Sequence, residues 1–110
     1  MERKAGEVIV EARTGDGYVD LCLRHRRKRE AVLIELKSSE KKKGMKRDAD
    51  KALEQIVERN HRNPEALPNI GTLREYGIAA CHLNSRVKGR YLELNGDQWV
   101  ETGDPATSLS

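Results

Sequence analysis

Residues 31–36 (Ala31, Val32, Leu33, Ile34, Glu35 and Leu36) form a nearly unbroken apolar run, interrupted by one carboxylate and followed at once by Lys37. A run of this length and kind reads as a central strand covered on both faces. In a chain of 110 residues this argues for a single domain built around one sheet with helix packed on it. Aromatic residues make up only 4% of the chain and Phe is missing, so the core must come mostly from Val, Ile, Leu and Ala. At 36% hydrophobic the chain is nevertheless rich enough to fold.

The elements around the central strand follow from local pattern. Val8, Ile9 and Val10 mark a first strand within residues 7–12. The turn formers Thr14-Gly15-Asp16-Gly17 then lead into a second strand over residues 18–23, giving a hairpin. The basic stretch 24–29 is the next hairpin tip, before the central strand. Residues 38–47 read as a lysine-rich mobile loop. A helix follows, capped by Asp48 or Asp50, with Ala49, Ala52, Leu53, Ile56 and Val57 on its buried face. Residues 60–71, with Pro64 and Pro68, are irregular. Fourth and fifth strands are expected over 76–83 and 87–94, and a polar, disordered tail over 101–110. The order is β-β-β-α-β-β, an α/β architecture with a mixed sheet and a domain over residues 1–100.

No apolar run approaches the roughly 20 residues that span a bilayer, and no secretory leader is visible, so a cytoplasmic location is expected, or a nuclear one in a eukaryotic or translocated setting. Cys22 and Cys81 lie far apart and outside any C-x-x-C spacing. They read as small buried residues of a reducing compartment.

Charge is segregated. Arg24, Arg26, Arg27, Lys28 and Arg29 form one acid-free cluster, and Lys41, Lys42, Lys43, Lys46 and Arg47 form another. These ten account for nearly half of the 21 basic residues, leaving 11 against 18 acidic side chains elsewhere. A body of net negative charge with two basic patches points to a polyanionic partner, against the plainer reading of two solvated loops.

Strand alternation puts Glu35 and Lys37 on one face, with Ile34 and Leu36 on the other. A first hairpin centred between Gly15 and Asp16 pairs residue 11 with residue 20, so Glu11 and Asp20 oppose each other on one face. Like charges directly opposite are destabilising unless a cation lies between them. A hard divalent ion such as Mg²⁺ or Mn²⁺ suits such an oxygen-rich site. Glu35 and Lys37 as a simple strand-end ion pair is the structural alternative.

Gly17-Tyr18-Val19-Asp20, followed after 14 residues by Glu35-Leu36-Lys37, resembles the PD-(D/E)XK nuclease superfamily. The text of residues 11–20, the helix segment Ala52-Leu53-Glu54-Gln55-Ile56 and the later Tyr76-Gly77-Ile78-Ala79 are similar to one branch, nuclease-like domains C-terminal to predicted bacterial ATPase modules. The resemblance spans about residues 7–83, with Val19 standing where the eponymous proline would be. It implies a restriction-endonuclease-like core in which Asp20, Glu35 and the Leu36 carbonyl hold Mg or Mn, with Glu11 a further candidate ligand. It also implies that Lys37 assists the attacking water and that Gln55 faces the site. The expected activity is metal-dependent cleavage of nucleic acid, most simply an endonuclease acting on DNA, with the two basic clusters on the phosphates. The alternative is an inactive nuclease-fold module that binds nucleic acid or a protein.

Relatives carry a helix before the first strand, whereas only six residues precede Glu7 here, too few for a stable packed helix. One sheet face is then expected to expose apolar surface, which predicts a homodimer or a partner that completes the core.

Overall fold

A computed structural model of the chain describes residues 6–10, 20–25, 27–59 and 67–103. Among these described residues, six strands and one helix follow in the order β1 (Gly6–Val10), β2 (Leu21–His25), β3 (Glu30–Ser38), α1 (Met45–Glu58), β4 (Thr72–Cys81), β5 (Asn84–Asn95) and β6 (Gln98–Thr102), with a 3-10 turn at Lys42–Gly44 before α1. The strands lie side by side in chain order in one sheet. All neighbours are antiparallel except β3 and β4, which are parallel and joined through α1. The sheet is therefore mixed, as expected of a β-α-β crossover set between hairpins.

Helix α1 lies on one face of the sheet. Met45, Ala49, Ala52, Leu53 and Ile56 recur at helical spacing and are buried. Leu53 and Ile56 join Cys22, Ala31, Leu33, Leu73 and Leu92 in the main core, against which Trp99 packs. Met45 and Ala49 meet Ala79 and Cys81 in a smaller cluster. Fully burying one such leucine contributes about 1.5–3 kcal/mol. Both cysteines are buried and unbridged. Gly77 on β4 is where helix and sheet meet most closely. A Cβ there would fall against the Ala49 carbonyl oxygen and within 2.6 Å of Leu53 N.

Several expectations are corrected. The helix begins at Met45, so Asp48 lies in its first turn rather than at its cap, and Gly44 is the N-cap. Asp48 instead accepts a 2.7 Å hydrogen bond from the Ser39 hydroxyl, while Ser39 N donates to Ala80 O at 2.8 Å. These bonds and the buried Met45 tether the 38–47 segment, which is helical over its second half. Val57 faces outward. Strand β4 starts four residues earlier than expected, because Glu75 is buried in an ion pair with Arg90. His82 falls in the two-residue β4–β5 turn with φ 54°, outside the strand predicted for it. A sixth strand follows the tight turn at Gly96 (φ 68°), so residues 101 and 102 belong to the sheet. Among the described residues no helix is long and apolar enough to cross a membrane.

Candidate active site

The β2–β3 ladder pairs Leu21 with Ile34 and ends there, which brings Asp20, one residue earlier, opposite Glu35. Where the ladder stops, the Asp20 side chain takes over. Its Oδ2 accepts the Leu36 N–H at 2.7 Å, as a ladder carbonyl would. The carboxylate is thereby held beside the peptide that joins residues 35 and 36.

Glu35 sits on the helix-covered face of β3 and is only 3% exposed. Burying a carboxylate costs several kcal/mol unless donors or a cation offset the lost hydration. Helix α1 supplies a donor through Gln55. In the amide orientation that satisfies both neighbours, Gln55 Nε2 donates to Glu35 Oε2 at 3.3 Å, and Gln55 Oε1 accepts from Lys37 Nζ at 2.7 Å. Glu35 and Lys37 are two residues apart on one face of β3, and a single amide from the helix spans them. This arrangement does more than a strand-end ion pair requires, since it holds a carboxylate and an ammonium at a separation set by the helix.

A family model of the PD-(D/E)XK nuclease superfamily matches residues 4–89, more than three quarters of the chain. The chain belongs to the PD-(D/E)XK nuclease superfamily. Comparisons with curated proteins and with solved structures gave no match. A nuclease-type function follows at the level of the superfamily, whose nucleases generally use divalent metals such as Mg or Mn.

The donor set fits such an ion. Asp20, Glu35 and the Leu36 carbonyl offer hard oxygens, and Mg²⁺ is commonly held by one or two carboxylates with water completing its shell. Among the described residues no three His, Cys, Asp or Glu side chains cluster for a metal. Glu11 lies outside the described residues. The β1–β2 register, with Val10 against Leu21, is nonetheless the one expected from a turn centred between residues 15 and 16.

The two basic clusters of this PD-(D/E)XK chain lie at opposite ends of β3. Arg27, Lys28 and Arg29 are exposed at the β2–β3 tip, whereas Arg24 is partly buried in β2 and Arg26 lies outside the described residues. Lys28 N donates to His25 Nδ1 at 3.3 Å. Arg29 Nε donates to Asn69 O at 3.1 Å, and Arg29 O accepts from Gly71 N and Thr72 N. The tip precedes Lys37 by eight residues of extended chain, roughly 25 Å. Lys41, Lys42, Lys43, Lys46 and Arg47 are exposed and follow the other end of β3, the end that carries Lys37. Lys41, Lys43 and Arg47 line a cleft of about 560 Å³ together with Ser38, Glu40 and Asp48.

Sequence reasoning missed a second polar group under α1. Glu75 is fully buried on β4, and Arg90 on β5 donates to its Oε1 from Nε at 3.1 Å and from Nη2 at 3.0 Å. Arg90 Nη2 also donates to Leu53 O at 3.0 Å, tying the sheet to the helix two residues before Gln55. The signal was present. Leu73, Gly77, Ala79 and Cys81 alternate on the buried face, which puts residue 75 there too. Arg86 and Lys88, exposed on β5, add basic side chains outside both clusters.

Proposed function

We propose that the chain is a metal-dependent nuclease that hydrolyses phosphodiester bonds, with DNA as its polymer. The observation that carries this reading is the Gln55 bridge between buried Glu35 and Lys37, with Asp20 anchored on the adjoining peptide. Asp20, Glu35 and the Leu36 carbonyl would hold Mg²⁺ or Mn²⁺. Such an ion, when bound, lowers the pKa of water and offsets charge on phosphate oxygens.

The chain's own groups do the rest. Lys37 presents its ammonium to the attacking water or to the charge that develops on the phosphate, as a bond forms from the water oxygen to phosphorus and the bridging ester bond breaks. Gln55 keeps that ammonium and the Glu35 carboxylate at a fixed spacing, so little reorganisation is needed at reaction. The cations of residues 41–47 hold the backbone next to the scissile phosphate. The 27–29 tip, roughly 25 Å away, meets a duplex about seven base pairs further on.

The test is incubation of supercoiled plasmid, linear duplex and a four-way junction with the protein and Mg²⁺ or Mn²⁺, with EDTA as control. Cleavage that EDTA abolishes is the expected result, and the preferred substrate names the class. Salt-sensitive binding of DNA without any cleavage overturns the proposal in favour of a binding module on a nuclease fold.

A further inference from the structure

The ladders on either side of β4 carry the rows of the site from β3 to β5. Lys37 pairs with Ala79 and Ala79 with Arg86, while Glu35 pairs with Gly77 and Gly77 with Lys88. Residues paired directly across a ladder share a face. Ala79 packs with Met45 and Ala49 of α1, and Gly77 meets Ala49 and Leu53. Arg86 and Lys88 therefore stand on the face that carries Glu35 and Lys37. Arg90, two residues further on, reaches Leu53 O of α1 from that same face. Arg90 is engaged with Glu75, whereas Arg86 and Lys88 are exposed.

We infer that Arg86 and Lys88 bind backbone phosphates flanking the scissile one, and that the nucleic acid crosses the sheet from Lys37 over the first turn of α1 to β5. Hydrogen-bonded strands lie about 4.8 Å apart, so each β5 cation is about 10 Å from its row-mate on β3 at the backbone. That is about three phosphates along one strand of a duplex. The first turn of α1 bridges the interval. Asp48 bonds Ser39 and Gln55 bonds Lys37, which identifies the β3 flank of the helix. At about 100° per residue, Lys46 falls on the opposite flank, toward β5. Cations thus run from Lys41, Lys43 and Arg47 beside Ser38, through Lys46, to Arg86 and Lys88. Asp50 shares the β5 flank with Lys46 and is the one carboxylate of α1 among these cations.

β6 pairs with β5 only at residues 91–95, so over residues 84–90 the outer edge of β5 has no strand beyond it among the described residues. Lysine and arginine on such an edge also deter pairing with another chain. Edge protection is met by charge on either face, however. Here Ser85, Val87 and Gly89 take the far face, and Arg86, Lys88 and Arg90 all take the α1 side. An uncovered edge also offers backbone N–H groups, which are common donors to phosphate. An acidic protein surface would suit two exposed cations as well, but their register with Glu35 and Lys37 favours the polymer. The inference rests on the nucleic acid proposed above as the polymer, and not on its cleavage.

Fluorescence anisotropy with a labelled duplex of about 20 base pairs, in EDTA so that no strand is cut, tests it over a salt series. The Arg86→Ala/Lys88→Ala protein is expected to bind at least about tenfold more weakly at low salt, with a log–log slope lower by about 2 and an unchanged urea midpoint. Arg86→Lys/Lys88→Arg keeps both charges and is expected to keep the slope. Lys51→Glu, exposed on the side of α1 away from the sheet, lowers the net charge by as much as the double alanine variant and is expected to leave the slope unchanged. A double alanine variant with the wild-type slope overturns the inference, as does a Lys51→Glu protein whose slope falls equally. So does wild type without salt-sensitive affinity for DNA, the result an acidic protein partner would give, and that result also removes DNA from the proposed function. The expected pattern in a protein that cuts nothing in Mg²⁺ upholds the inference and overturns only the nuclease.

Discussion

Substituting Gly77 by alanine tests how the helix is seated on the sheet and how that seating builds the site. The added Cβ would meet the Ala49 carbonyl oxygen and lie 2.6 Å from Leu53 N, with Ala52 Cβ at 3.1 Å. Two of these are backbone atoms of α1, so no side-chain rotation relieves the contact. Ordinary van der Waals separation requires the helix to rise by about 1 Å, in an interior packed as densely as a crystal. Overpacking of this kind costs about 1–3 kcal/mol, against which alanine regains about 0.5–1 kcal/mol of the entropy a strand glycine loses. The net loss is about 1–2 kcal/mol, which lowers the urea midpoint by roughly 1 M at the slope typical of small domains. The same displacement lifts Gln55, whose bonds to Lys37 and Glu35 are 2.7 and 3.3 Å, out of contact with at least one of them. Urea unfolding followed by circular dichroism reads the first effect. Plasmid cleavage by the still-folded protein at low temperature reads the second, and its rate should fall by far more than the folded fraction. A Gly77→Ala protein as stable and as active as wild type would refute the close seating of α1.

Further outcomes follow from the same geometry. Asp20→Ala removes a proposed ion ligand and the acceptor of the Leu36 N–H, and calorimetric titration with Mn²⁺ should show binding weakened at least tenfold. Arg90→Ala breaks the bonds to Glu75 and Leu53 O and should cost about 2–4 kcal/mol in thermal or urea unfolding, while Arg86→Ala on the exposed part of β5 should change little. DNA affinity should fall steeply with salt, and replacing Lys41, Lys43 and Arg47 together by alanine should reduce the log–log slope by about 3, read by fluorescence anisotropy.

Much of the fold was readable because the apolar pattern and the topology agreed. The run at residues 31–36 is the central strand, placed between β2 and β4, and the hairpin arithmetic that opposed residues 11 and 20 is the register seen at Val10 and Leu21. The helix spacing of Ala49, Ala52, Leu53 and Ile56 was equally plain. What escaped was decided by tertiary partners. The front of β4 carries Arg74 and Glu75, which look solvated in sequence, yet Glu75 is buried because Arg90 arrives from the next strand and Arg74 finds the Tyr91 ring. β6 is short and polar, and it exists because the turn at Gly96 folds Trp99 back on the core. The lysine-rich segment looked loose because the bonds from Ser39 to Asp48 and Ala80 are non-local. At the site, alternation alone was enough to put Glu35 and Lys37 on one face. That Gln55 spans both depends on where α1 sits, which the close approach at Gly77 and the Arg90 bond to Leu53 O help to set.

The central claim is that Glu35, Gln55 and Lys37 beside Asp20 form a working phosphodiesterase site. Its most direct test compares the initial rate of supercoiled plasmid conversion by wild type and by Lys37→Ala in the same Mg²⁺ buffer, with Mn²⁺ affinity measured in parallel. The account predicts a rate lower by at least about 100-fold in the variant with metal affinity retained. A Lys37→Ala protein that cuts as fast as wild type would contradict it.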